Sequence, residues 1–202
     1  MTINYEERTY EASRRYFKAM IGLLNNIKAS DKSGREIKLH DAIGISVEMI
    51  LAVSHAQRKL MFIGNGASQS ISSHISTDIM KNCGIRTTAF TDPSMLTTFS
   101  NDFGYEYVFQ KPIEILADEG DILIAISSSG KSINILNACN AALRRSCSII
   151  TMSGFSKDNP LRSLGDINFF VPVSEYGPVE VVHHAICHCI VDMIIKMKSE
   201  AR

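Results

Sequence analysis

The sequence lacks a charge excess of either sign, with 21 basic residues against 21 acidic ones. Proteins that bind nucleic acid usually carry a basic excess, so we expect no nucleic-acid partner. No unbroken apolar run reaches the roughly 20 residues that span a bilayer, and the polar first residues do not resemble a signal peptide. Five cysteines are an odd number, which favours reduced thiols over a disulfide framework. We therefore expect a cytoplasmic protein with no membrane partner.

The first part of the chain is predicted to be helical. Apolar residues recur at helical spacing over residues 5–27 and again over 37–56, with a polar turn predicted at 29–34 and no strand pattern. We interpret residues 1–57 as a helical arm whose apolar faces cover either the main domain or a partner subunit. Residues 58–202 then form the main domain.

The main domain alternates strands with helices from Lys59 onward. Strand patterns such as Ile122–Ile126 are apolar throughout, which is typical of strands with helices on both faces. We predict an α/β fold with a doubly wound parallel sheet, which binds ligands at the carboxyl ends of its strands. Predicted strands span 60–64, 86–91, 121–126, 147–152 and 167–171, and predicted helices span 68–82, 93–100, 106–117, 132–145 and 178–198.

Two loops combine a preceding strand with a following helix. Gly64-Asn65-Gly66 leads into a helix at Ser68, and the run from Ser127 to Ser132 leads into another. A helix N-terminus that presents backbone N–H groups and hydroxyls suits an anion such as a phosphate. An ordinary capped helix start is the alternative for the second loop, because serine is a common N-cap. Neither loop has the spacing of a P-loop or a dinucleotide fingerprint, so we expect no nucleotide or flavin cofactor.

Two predicted helices each carry one histidine and one carboxylate. His74 and Asp78 are four residues apart, and Glu180 and His188 are eight residues apart, so each pair lies on one helix face. If the two pairs converge, they form either a four-ligand site for a divalent metal or a general acid–base pair. Both alternatives remain open on the residues alone.

Four motifs in order resemble the SIS (sugar isomerase) domain family, and within it the phosphoheptose isomerases. They are GNGAS with His74 and Asp78, TDPS with NDFGY, ISSSGKS, and GPVE with the histidines that follow it. The resemblance implies a three-layer αβα sandwich with a five-stranded parallel sheet. It also implies a homotetramer in which the N-terminal helices take part and the active sites lie between subunits.

The resemblance also implies a role for particular residues. The base is expected at Asp78 and the acid at His188, and sugar contacts at Asn65 and Asp102, with Glu180 also near the substrate. A zinc ion in several relatives implies ligands at His74, Asp78, Glu180 and His188. Phosphate contacts are expected at Ser68, Ser127, Ser128, Ser129 and Ser132.

The chain departs from the family pattern at several of these positions. Asp78 replaces the family glutamate, Glu180 replaces a glutamine, Gln69 follows Ser68 in place of histidine, and Asn82 replaces an arginine. We expect a phosphosugar aldose–ketose isomerase, with sedoheptulose 7-phosphate as its substrate. The alternatives are a non-catalytic phosphosugar-binding or scaffold protein, which such changes would suit, and an aminosugar-phosphate enzyme.

Overall fold

The fold is built on one seven-stranded sheet. The structure, a computed structural model, describes residues 5–200. The strands lie in the order β2-β1-β7-β6-β5-β3-β4. Their bounds are β1 Lys28–Asp31, β2 Glu36–Ile37, β3 Leu60–Ile63, β4 Thr87–Ala89, β5 Ile122–Ser127, β6 Ser148–Gly154 and β7 Ile167–Val171.

Seven α-helices connect and cover these strands in the described chain. Their bounds are α1 Tyr5–Asn25, α2 Leu39–His55, α3 Ala67–Asp78, α4 Pro93–Phe103, α5 Gln110–Leu116, α6 Ile133–Arg144 and α7 Tyr176–Glu200. The predicted helix 68–82 divides in two, because α3 ends at Asp78 and a π-helical turn follows at Ile79–Cys83. Such turns are rare and often occur at functional sites. The predicted helix 106–117 is also divided, into a 3₁₀ turn at Tyr105–Tyr107 and α5.

The five strands predicted from sequence are present and parallel to one another. β3 pairs with β4 on one side and β5 on the other, and β6 and β7 follow. The chain therefore moves from β3 outward to β4 and then returns to the other side of β3. In a doubly wound sheet this reversal opens a crevice at the carboxyl ends of the two central strands. That crevice lies between the loops that follow β3 and β5.

Successive residues of the central strands face two separate cores. In β3, Leu60 and Phe62 lie in the core beneath α2, α3 and α7, whereas Met61 and Ile63 lie in the core on the α5 and α6 side. All four side chains are fully buried. This alternation is what a strand covered on both faces requires. The predicted three-layer αβα sandwich is confirmed.

The prediction of a strand-free N-terminal region is wrong at residues 28–37. The segment expected to be only a turn forms the hairpin β1–β2, and Ala29 pairs antiparallel with Phe169 of β7. Asp31 closes the hairpin by accepting hydrogen bonds from the backbone N–H groups of Ser33 and Arg35, at 3.0 and 3.1 Å. The hairpin covers the unpaired edge that β7 would otherwise present.

The last helix, α7, is long and apolar enough to cross a membrane by length and composition, although 44% of its most apolar window is buried inside the domain. A search for unbroken apolar runs misses this feature because polar residues interrupt the helix. Its buried residues include Val182, Ile186, Ile190 and Ile194, at the spacing of one helix face. This packing is that of a core helix.

Candidate active site

A pair of asparagines bridges the crevice at the ends of β3 and β5. Asn65 follows β3, and Asn134 lies in the first turn of α6, after β5. Their amide groups exchange two hydrogen bonds, at 3.0 and 2.8 Å. The hydroxyl of Tyr105 donates a third, at 2.9 Å, to Asn65 Oδ1. Three loops are thus connected at the side chain for which we expect sugar contact.

The loop after β5 carries the hydroxyls expected to bind phosphate. Ser127 ends β5, and Ser132 is the N-cap residue of α6. Ser129 Oγ accepts a hydrogen bond from the backbone N–H of Lys131 at 3.3 Å. Ser128 is buried, and its Oγ has no hydrogen-bond partner in residues 5–200. A buried hydroxyl without a partner is what a site for an absent anion would leave.

Gly130 sets the shape of this loop. Its φ of +62° is unfavourable for other residues, and a Cβ placed there would overlap the side chain of Asn159. Asn159 is itself buried and donates to Ser153 Oγ at 3.1 Å and to the carbonyl of Ser156 at 2.8 Å. Glycine therefore lets the loop lie directly on Asn159.

The loop after β3 is tied back by Gln69. Its Oε1 accepts a hydrogen bond from the N–H of Gly64 at 2.9 Å, and its Nε2 donates to the carbonyl of Phe90 at 3.0 Å. Ser68 is buried in the first turn of α3. A groove of about 630 Å³ runs along α3 and is lined by Gly66, Gln69, His74 and Asp78, among others. It connects the loop with the titratable residues.

Three histidines from two helices meet beside Asp78. The His74 ring lies 5.4 Å from that of His188 and 5.3 Å from that of His184, and the last two rings are 4.6 Å apart. His74 Nε2 is 3.1 Å from Asp78 Oδ2. The predicted pairing of His74 with Asp78 is present, and so is its convergence with His188.

Two of the histidines on α7, His184 and His183, have lowered pKa values, and burial is the largest cause in both. For His184, burial lowers the pKa most. The neighbouring rings of His188 and His74 lower the pKa of His184 further, whereas Asp78 raises it. Burial lowers the pKa of His183 to about 4. His183 Nε2 is 3.1 Å from the carbonyl of Ser153, which places this histidine in the core rather than in the cluster.

Two expected site residues lie apart from these contacts. Asp102 is exposed near the end of α4 and accepts a hydrogen bond from Asn101 at 2.9 Å. The side chain of Glu180, near the start of α7, has no hydrogen bond or ion pair within residues 5–200 and is not among the clustered groups. Sequence reasoning missed His184 and Asn134. The four-residue spacing of His184 and His188 was the available signal for the first.

The side chains in the cluster fit the zinc ion that the resemblance implies. The clustered residues are His74, His184 and His188, whereas the expected ligands were His74, Asp78, Glu180 and His188. One nitrogen from each of His74, His184 and His188 lies within 4.8 Å of the other two. Imidazole nitrogens suit zinc, at about 2.0–2.1 Å from the metal. His184 Nε2 is buried and has no hydrogen-bond partner within the described chain.

These features define a class of protein. It is a doubly wound α/β protein with serine-lined helix starts at the carboxyl ends of its strands and a histidine cluster nearby. Residues 15–154 match the model of the SIS domain. The chain belongs to the SIS domain family.

Individual relatives are phosphoheptose isomerases. One from Geobacter sulfurreducens is 30% identical over 186 residues, which is 86% of this chain and 98% of that protein. One from Shewanella denitrificans is 34% identical over 166 residues, covering 77% and 84% of the two chains. The solved phosphoheptose isomerase of Neisseria gonorrhoeae is similar with a TM-score of 0.81 and 25% identity, over 92% of this chain and 99% of that one.

Proposed function

We propose that this protein is a phosphosugar aldose–ketose isomerase that interconverts sedoheptulose 7-phosphate and D-glycero-D-manno-heptose 7-phosphate. The convergence of Asp78 and His188 on His74 supports the proposal most directly, since these groups come from two helices far apart in sequence. The names of the relatives support the substrate class. Asp78 on α3 would supply the base, and His188 on α7 would supply the acid, that the reaction needs.

The serine-rich loop would hold the phosphate. The free hydroxyl of Ser128 and the start of α6 are oriented by a loop that Gly130 and Asn159 keep in place. Phosphate binding energy then orients the reacting carbons, because interactions remote from the chemistry position the substrate. Asn65, fixed by Asn134 and Tyr105, would contact the sugar hydroxyls.

The reaction needs one proton moved between neighbouring carbons. Asp78 takes a proton from carbon 1 of the ketose, and His188 protonates the carbonyl oxygen at carbon 2, which gives the enediol. Asp78 then returns its proton to carbon 2, while His188 removes the proton of the oxygen on carbon 1, which gives the aldose. Asp78 contacts His74 through Oδ2, and Oδ1 makes no hydrogen bond within residues 5–200, so one oxygen remains for proton transfer.

A divalent metal at the histidine cluster would polarise the sugar carbonyl as a Lewis acid, in which case His188 would serve as a ligand instead of a proton donor.

Substitution of the proposed base and acid tests these roles. Asp78→Asn keeps the shape of the side chain but removes its basicity, and His188→Ala removes the acid. Each change is expected to lower kcat by at least about 100-fold, the usual contribution of a general acid or base. The measurement is the rate of aldose formation from sedoheptulose 7-phosphate.

His55→Ala, at an exposed position near the end of α2, serves as the matched control and should keep wild-type kcat. Near-normal turnover in Asp78→Asn or His188→Ala would refute the assigned roles. Wild-type protein that binds the sugar phosphate without converting it would instead support the non-catalytic alternative, which the shorter Asp78 side chain favours.

A further inference from the structure

We propose that His74, His184 and His188 form a three-histidine site for a divalent transition metal, with Asp78 holding His74 and with Glu180 outside the ligand set. This inference rests on the proposed active site and takes the alternative role given there for His188, that of a metal ligand instead of a proton donor. It adds a ligand, His184, that the family resemblance does not supply. It also removes two ligands that the resemblance implies, Asp78 and Glu180, since neither belongs to the histidine cluster.

The helices place the ligands in a familiar arrangement. His184 and His188 are four residues apart on α7, so their side chains leave the same face one turn apart. His74 approaches from α3, and its ring makes edge contacts with both. Two histidines at this spacing on one helix and a third ligand from another element are a common way to hold zinc.

The distances require only small side-chain movements. Two imidazole nitrogens on one tetrahedral zinc ion would be about 3.4 Å apart, given a metal–nitrogen distance of about 2.0–2.1 Å. The candidate nitrogens already lie within 4.8 Å of one another. Rotations about the side-chain bonds of three partly or fully exposed histidines would close this difference without moving the helices.

An unpartnered atom points independently to a ligand. His184 Nε2 is buried, and no hydrogen-bond donor or acceptor in residues 5–200 reaches it. Buried polar atoms almost always have a partner, so an orphaned imidazole nitrogen beside two other imidazoles indicates a bound ion. Asp78 Oδ2 lies 3.1 Å from His74 Nε2, so this carboxylate is placed to orient the imidazole, as carboxylates commonly do for ligating histidines.

Glu180 does not take part in this arrangement. It lies one turn before His184 on α7, yet its side chain makes no hydrogen bond or ion pair within the described residues and is not in the cluster. The proposed site therefore has three imidazole ligands and one carboxylate nearby. Imidazole ligands favour zinc, copper, nickel and iron over magnesium and calcium.

The test is metal binding by tag-free, full-length protein that has been depleted of metal with a chelator. Zn²⁺ affinity is measured by competition with a chromophoric chelator, and Co²⁺ is added to record its visible absorption bands. The wild type is expected to bind one ion per chain. His184→Ala should weaken zinc binding by about 100-fold or more, since even the residues behind metal ligands cost 10–100-fold when removed.

Glu180→Gln and His55→Ala are the matched controls, and both should keep wild-type affinity and the wild-type Co²⁺ spectrum. His184→Asn repeats the test with a polar side chain if the alanine variant does not fold, as judged by circular dichroism. A zinc affinity that survives the loss of His184 but not the change at Glu180 would overturn the proposal, as would wild-type protein that binds no metal. Neither readout depends on turnover, so metal binding without isomerase activity would sustain this site and refute the proposed function.

Discussion

At the scale of single residues, Asn65 is held more firmly than any other predicted sugar contact. Asn134 exchanges two hydrogen bonds with it, and Tyr105 adds one. Because Asn134 is almost fully buried, Asn65 has few alternative orientations. Its amide would therefore be oriented before the substrate arrives, which limits the ordering that binding must cause.

Removal of Asn134 is expected to release this amide. Asn134→Ala removes two hydrogen bonds from Asn65 and leaves its Nδ2 without a partner, while Oδ1 keeps the bond from Tyr105. The loss should cost about 1–3 kcal/mol and lower kcat/KM by about 10- to 100-fold. Tyr105→Phe removes one hydrogen bond and should have a smaller effect. The measurements are kcat and KM, with thermal unfolding as the check on folding. Equal kinetic constants for Asn134→Ala and the wild type would contradict this role.

Sequence reasoning identified residues whose partners are close along the chain. His74 and Asp78 were paired by their helical spacing, and the structure places them 3.1 Å apart. Asn134 and Asn65 are 69 residues apart in sequence, and no local pattern indicates that they meet. No local pattern indicates that Glu180 stays outside the histidine cluster either, because its place depends on how α3 and α7 cross.

At the scale of elements, the amino ends of β3 and β5 are fastened by a buried ion pair. Lys59 Nζ lies 2.6 Å from Asp121 Oδ2 and 2.7 Å from Asp118 Oδ2. The side chain of Asp121 is fully buried and also accepts hydrogen bonds from the N–H groups of Lys59 and Asp118. This cluster lies at the opposite end of the sheet from the candidate site.

Loss of Lys59 would leave the Asp121 carboxylate buried without its cation. Lys59→Met is expected to lower the free energy of unfolding by about 3 kcal/mol, because breaking a buried pair from one side is costly. Asp118→Asn is the control; Asp118 is largely exposed and should contribute less than about 1 kcal/mol. Urea unfolding measures both, and a loss below about 1 kcal/mol for Lys59→Met would refute this account.

Four of the five parallel strands, β3, β5, β6 and β7, were predicted to within two residues because their apolar runs are nearly continuous and turns bound them. β4 is the exception, since it is the three-residue, mostly polar Thr87–Ala89 within the predicted 86–91. The hairpin β1–β2 was not predicted, because its strands are only four and two residues long and largely polar. Its stability comes from pairing with β7, a contact between residues about 138 positions apart. Short edge strands of this kind are formed by tertiary pairing rather than by local pattern.

At the scale of the whole molecule, α1 presents an apolar surface that the single chain leaves uncovered. Met20 is its only buried residue in the described chain, whereas Phe17 and Ile21 are 67% and 62% exposed. We propose that residues 1–57 act as the oligomerisation arm of a homotetramer.

The separation of two expected site residues also favours such an assembly. Ser68, expected to contact the phosphate, and Asp78, the proposed base, are ten residues apart on α3, or about 15 Å. This distance is long for one sugar phosphate to span, which favours a site completed by a neighbouring subunit.

A charge on this surface should break the assembly. Phe17→Glu is expected to shift the protein from tetramer to smaller species in light scattering and to lower activity, because a shared site would be lost. Lys18→Glu is the control, because Lys18 is the adjacent exposed residue and points to a different side of α1. This change should leave the oligomeric state and the activity unchanged. A wild-type protein that is monomeric and fully active would contradict the proposed arm.

The most direct test of the proposed function is NMR of sedoheptulose 7-phosphate after incubation with the purified, metal-analysed protein. The account predicts signals of the heptose 7-phosphate aldose, at a rate that falls at least about 100-fold with Asp78→Asn. Binding of the sugar phosphate with no interconversion, in protein loaded with metal and correctly assembled, would contradict it.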